Sequence, residues 1–161
     1  MNLKGRTLLA SAATAFVLTA SFSAAAPGAA RVITIKGNDE MKFDVVGIKA
    51  APGEQVQVKV VTTGKIPKVV MAHNFVLLKK GTNAKAFADE AMKATPASSY
   101  IPAALKAQVV AFTGLAGPGE TVQVTFTVPK VPGRYEFICT FPGHYAAGMK
   151  GVFVVAAKTT S

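Results

Sequence analysis

Beyond the first 30 residues, hydrophobic and polar side chains alternate along much of the chain. In ETVQVTFTV (120–128), Val122, Val124, Phe126 and Val128 fall on one side of an extended backbone, and Gln123, Thr125 and Thr127 on the other. That period of two predicts a strand with one face buried and one face wet. The same texture runs through RVITIKG (31–37), FDVVGIKA (43–50), EQVQVKVVTT (54–63), HNFVLLKK (73–80), GRYEFICTF (133–141) and KGVFVVAAK (150–158). QVVAFTG (108–114) is a weaker eighth strand. Turn signals separate them at Gly37-Asn38-Asp39, Pro52-Gly53, Gly117-Pro118-Gly119 and Pro132-Gly133. Short strands at regular spacing predict an all-β, antiparallel sandwich.

Two segments break the alternation. Residues 81–107 are alanine-rich, with Ala84–Ala94 reading as a short helix ahead of Pro96. This stretch is expected to lie as a helical flap over the sandwich, with Ala86, Ala91 and Met92 as packing residues. The chain also begins MNLKGRTLLASAATAFVLTASFSAAAPGAA, a basic start (Lys4, Arg6), an apolar middle and a run of small residues. That order is the pattern of a secretory signal peptide over residues 1–25, cut after Ala25 or as late as Ala30. The uncharged window Leu8 to Ala26 is long enough for a membrane anchor. It is mostly Ala, Ser and Thr, so removal is the expectation. The remainder, 31–157, is one domain's worth of chain, large enough to bury a core without staples.

Charge and cysteine usage narrow the function. The sequence holds 18 Lys+Arg against 8 Asp+Glu; without Lys4 and Arg6, 16 against 8 leave +8. Such a charge favours acidic partners. Nucleic acid is excluded as a partner by export and by basic residues spread along the chain instead of clustered with aromatics. The single cysteine, Cys139, cannot form an internal disulfide. In an exported protein it must be buried, reactive or metal-bound.

The soft and borderline ligands then converge. Cys139 closes one strand, His144 and Met149 lie on the loop before the next, and His73 opens a third. In a sandwich, a loop joining neighbouring strands at one pole can meet a residue from another strand at that pole. Taken singly, a cysteine, a histidine or a methionine is more often a packing residue. The spacing Cys-x4-His-x4-Met with an upstream histidine is not expected from packing. A His, Cys, His set with a nearby Met is the donor combination of a blue copper site, where thiolate suits Cu(I) and imidazole suits both oxidation states. Zinc wants four tetrahedral donors and rarely takes a thioether. A cysteine hydrolase needs an orienting third group, and no Asp or Glu lies near either histidine in sequence.

KGNDEMKFD (36–44), IPKVVMAHNFVL (66–77), CTFPGH (139–144) and MKG (149–151) together resemble the azurin-like blue copper proteins of the cupredoxin family, over nearly the whole domain. The resemblance implies a cupredoxin-like Greek-key β-sandwich of about seven to eight strands. It implies one copper ion cycling between Cu(I) and Cu(II) in a type 1 site. His73 and His144 would be the imidazole ligands, Cys139 the thiolate and Met149 the axial thioether. Asn74 would hydrogen-bond across to the ligand loop, and a backbone N–H near Phe141 would donate to the sulfur. The chain departs from the azurin pattern at Ala72, where azurins have glycine. It also lacks a disulfide, a tryptophan and a third histidine. Four residues, Tyr145 to Gly148, separate the second histidine from the methionine, a loop length closer to pseudoazurin, plastocyanin and auracyanin.

These readings lead to a periplasmic, monomeric carrier of single electrons rather than an enzyme. Its partners would be transient redox proteins with acidic or apolar docking surfaces. The alternative is a copper carrier or storage protein without redox turnover. On the resemblance, the His144 ring edge would reach solvent inside an apolar patch with Met41, Ile66 and Met71. Lysines 65, 68, 79, 80 and 150 are expected near the same pole.

Overall fold

The computed structural model describes residues 29–157. The signal-peptide reading falls on residues 1–25 and lies outside them. Eight strands form two sheets. The first is β1 (Arg31–Gly37), β3 (Gln55–Thr62) and β6 (Thr121–Thr127), in the order β1-β3-β6. The second is β2 (Gly47–Ala50), β8 (Lys150–Val155), β7 (Gly133–Ile138), β4 (Val76–Leu78) and β5 (Val109–Phe112), in the order β2-β8-β7-β4-β5. Between the sheets lies a core that includes Ile35, Val56, Val58, Val60, Phe75, Phe137 and Phe153.

The expected purely antiparallel sandwich needs correction. β1 runs parallel to β3 and β2 parallel to β8, while the remaining pairs are antiparallel. The chain crosses from one sheet to the other after β1 and again after β2. Each crossing reverses its direction, so a strand and its next-but-one successor in the same sheet run the same way. This traffic has a consequence for the site. β1, β3, β5 and β7 end at one pole of the sandwich, and β4, β6 and β8 begin there. The segments just before β4 and between β7 and β8 therefore meet.

Several element ends are shorter than the alternation predicts. The strand expected from Phe43 starts at Gly47, and Phe43 makes only an isolated bridge to Gly37. The strand expected from His73 is confined to Val76–Leu78, because His73 bridges Ala116 on the β5–β6 loop instead. Val122, Val124 and Phe126 are only half-buried, since β6 stands at the edge of a three-stranded sheet. The flap helix α1 (Ala84–Ala91) is capped by Asn83, whose Oδ1 accepts from the Ala86 N–H at 3.0 Å. Ala84, Phe87, Ala88 and Ala91 (positions i, i+3, i+4 and i+7) are buried, and Ala84, Phe87 and Ala88 cluster with Val76, Leu78 and Ile138. Ala86 was expected to pack and is exposed, being on the opposite side of that stripe; Met92, past the helix end, is 53% exposed. Among the described residues, no helix is long and apolar enough to cross a membrane.

Candidate metal centre

The pole gathers three side chains that could hold a metal ion. His73 precedes β4, Cys139 follows β7 and His144 lies on the β7–β8 loop, and their ligand atoms all lie within 4.8 Å of one another. The two imidazole centroids are 5.1 Å apart, and Cys139 Sγ is 3.4 Å from His144 Nδ1. All three residues are buried. His73 is held by its backbone, donating to Ala116 O at 2.9 Å and accepting from Ala116 N at 2.8 Å.

The loop from Cys139 to Met149 is built to hold its shape. Cys139 N–H donates to Met149 O at 3.0 Å, closing the base, and Met149 N–H donates to His144 O at 2.9 Å. Further turns join His144 N–H to Phe141 O at 3.1 Å and Gly148 N–H to Tyr145 O at 2.9 Å. Gly143 and Gly148 adopt φ of +83° and +95°, a region that other residues rarely enter. Met149 is fully buried, and its methyl group and the His73 ring both lie within 3.0 Å of where a side chain on Gly37 would begin.

Asn74 ties the loop to the flap. Its Oδ1 accepts from Thr140 N–H at 2.9 Å, and its Nδ2 donates to Thr140 Oγ1 at 2.8 Å and to Ser99 O at 2.9 Å. The expected bridge from Asn74 to the ligand loop is thus present. Sequence reasoning missed the far end of it, Ser99 and Thr140. Ser99 has a φ of +54°, unusual for a residue with a side chain.

Burial keeps these three groups uncharged in the metal-free protein. Burial pushes the Cys139 thiol up to about 12, against the N–H groups of Asn74 and Phe141, which favour the thiolate. His144 is held down at about 4, first by burial and then by repulsion from His73. Burial also lowers His73, opposed by the Asp39 carboxylate and the Asn38 carbonyl. At neutral pH the cluster is therefore two neutral imidazoles and a protonated thiol. Neither ring nitrogen of His73 makes a well-formed hydrogen bond, although the Asn38 carbonyl favours its protonated form. Buried polar atoms without partners are costly, and a metal ion would satisfy one of these nitrogens directly. Two imidazoles and a thiolate with a thioether near by fit a type 1 copper site.

Three expectations about the surface change. His144 is buried, 1% exposed, instead of showing its ring edge; the Phe141 ring packs 4.7 Å from it and is itself met edge-on by Tyr100. Met41 and Met71 are half-buried, so the apolar surface of the 66–71 loop is carried by Ile66, Val69 (87% exposed) and Val70 (60%). Neither valine was singled out in the sequence. Lys150 does sit at the pole, 4.5 Å over the Tyr145 ring. Lys80 does not: it follows the far end of β4 and donates to Pro132 O beside the start of β7. Lys68 is paired with Glu120 at 2.6 Å.

The chain belongs to the plastocyanin/azurin family of copper-binding proteins, whose model matches residues 29–156. It is 38% identical to azurin of Alcaligenes faecalis over 122 residues, which covers 74% of this chain and 93% of that protein. Against auracyanin-A of Chloroflexus aurantiacus the identity is 38% over 118 residues, 73% of this chain and 68% of the relative. Among solved structures, the dithionite-reduced auracyanin of Roseiflexus castenholzii superposes with a TM-score of 0.69 at 35% identity, covering 80% of this chain and 99% of the other. The fold is accordingly the cupredoxin Greek-key β-sandwich and the protein a blue copper protein.

Proposed function

We propose that this protein carries single electrons between redox partners in the periplasm, with one copper ion that His73, Cys139, His144 and Met149 would hold. The observation that carries the reading is the buried His73–Cys139–His144 cluster, whose His73 ring nitrogens make no well-formed hydrogen bond within the protein. Bound copper supplies one reversible oxidation step. The residues do the rest. His73 and His144 present neutral nitrogens, and Cys139 gives up its proton on metal binding. The closed loop and the Asn74–Thr140 bridge hold the donors in one arrangement, which keeps the reorganisation accompanying electron transfer small. Burial excludes water from the site. Transformation of a substrate is not part of the proposed role, since both histidines are committed to one metal.

The Ile66–Val70 surface suits brief apolar contact with a partner. The +8 balance of the exported form favours acidic redox proteins over nucleic acid. A monomer exported after signal removal, without stable membrane insertion, completes the proposal. Adding copper(II) to the purified apoprotein is the decisive test. An intense thiolate charge-transfer band should appear, Cys139→Ala should abolish it, and the loaded protein should self-exchange electrons quickly while releasing copper slowly. A colourless copper(II) protein refutes the site; a coloured protein that exchanges copper readily but electrons slowly is a carrier of metal.

A further inference from the structure

Strand β1 ends against the ligand cluster in a glycine. Gly37 pairs with Thr62 on β3 and bridges Phe43 on its other side. Its carbonyl accepts from Thr63 N–H at 2.9 Å and from Thr63 Oγ1 at 3.1 Å. The backbone is thus pinned from both edges and has nowhere to recede. A Cβ at this position would lie 2.8 Å from His73 Cδ2, 2.9 Å from His73 Cγ and 3.0 Å from Met149 Cε. Carbon atoms settle at about 3.5–4.0 Å. Gly37 does not have a left-handed φ, so alanine could adopt its backbone conformation. Space alone requires glycine here, and the space belongs to two of the proposed ligands.

We propose that Gly37 is a positioning residue for the metal: its missing side chain sets how closely the Met149 thioether and the His73 ring approach, and so sets the axial contact. This rests on the ligand set proposed above. An added methyl group crowds both neighbours, the His73 ring at 2.8 and 2.9 Å and the Met149 methyl at 3.0 Å, so both must give. The His73 backbone is fixed by its paired hydrogen bonds to Ala116, and its ring is rigid and fully buried. Met149 has an unbranched, adaptable side chain. The thioether therefore yields further than the ring. The three atoms nearest the methyl position belong to His73 and Met149 and none to Cys139, so these two side chains shift before the cysteine does.

The test compares Gly37→Ala with Gly47→Ala, a strand glycine that has nothing within 4 Å of its Cβ position. In the metal-free protein, Gly37→Ala should shift the ε-methyl NMR signal of Met149. With copper(II) bound, it should keep the thiolate colour, change the intensity ratio of the charge-transfer bands by about twofold, and move the reduction potential. Gly47→Ala should do none of this. In a Met149→Leu background, most of the Gly37→Ala effect on the potential should vanish, because neighbours acting through one contact are not additive. An unchanged methyl signal, band ratio and potential in Gly37→Ala overturns the proposal, as does an undiminished effect in the Leu background. If Gly37→Ala fails to fold, Gly37→Ala/Met149→Ala should fold better because one of the two crowded neighbours is gone; no gain in that pair while Met149→Ala folds also overturns it. The ligand set stands or falls separately. Met149→Leu alone with parental bands and potential removes Met149 as a ligand, whatever the metal-free methyl signal reports about Gly37.

Discussion

Replacing Asn74 by alanine removes a buried side chain that makes three hydrogen bonds, to Thr140 N–H, Thr140 Oγ1 and Ser99 O. The consequences differ by partner. Ser99 O keeps the hydroxyl of Thr140 as a donor at 2.9 Å. Thr140 N–H loses the acceptor it has and stays buried, a loss of about 1–3 kcal/mol. The two other hydrogen bonds contribute about 1 kcal/mol each. The sum is about 3–5 kcal/mol, a large share of the roughly 5–15 kcal/mol that separates a domain of this size from unfolding. Thr140→Val removes only the hydroxyl and leaves the amide pair intact, so it should cost about 1–2 kcal/mol. Urea unfolding of the metal-free proteins, followed by circular dichroism, measures both. The double variant should cost less than the sum of the singles, because one hydrogen bond is shared. If Asn74→Ala and Thr140→Val each lose under about 1 kcal/mol, the bridge does not hold the ligand loop to the flap. The reasoning about a rigid donor set then fails with it.

The pH response of the metal-free protein follows from its buried groups. His144 is held at about 4 when folded against an ordinary 6.5, so its contribution is present above 6.5 and is lost as pH falls toward 4. The Cys139 thiol, at about 12 against an ordinary 9.0, costs stability as pH rises above 9, where the unfolded thiol ionises and the folded one does not. At pH 12 that alkaline loss reaches about 4 kcal/mol, and Cys139→Ala should lack it; parallel alkaline curves for parent and variant would contradict the burial argument. Phe87→Ala, which empties the contact between α1 and the β4–β7 face, should cost about 3–5 kcal/mol in the same unfolding assay, whereas Ala86→Ser on the exposed side should cost less than about 0.5 kcal/mol. Val70→Glu places a charge on the exposed apolar loop and should slow electron self-exchange about tenfold or more with the copper spectrum unchanged; unchanged exchange rates would move the docking surface elsewhere.

The proposed ligand loop was legible in the sequence because its chemistry is local. Cys139, His144 and Met149 sit on one connection, and a Cys-x4-His-x4-Met spacing between two alternating segments has little other use. The strands of the sandwich were legible for the same reason: the alternation in 120–128 or 54–63 is a property of neighbouring residues. What depends on partners far along the chain was not. Parallel pairing of β1 with β3 follows from the route of the chain between sheets. Asp39 lies 34 positions before His73 and still acts on its ring, which sequence proximity could not reveal. The alternation of Val122, Val124 and Phe126 looks the same on an edge strand as in a covered one, so their partial exposure was decided by which strands stand beside them. The burial of His144 depends on where the rings of Phe141 and Tyr100 come to rest. Gly37 reads in sequence as a turn residue, yet its φ is ordinary and its lack of a side chain serves a ring and a thioether that reach it from two other segments. Local periodicity and spacing carry donor identity and strand location; distances across the pole exist only once the sheets have closed on one another.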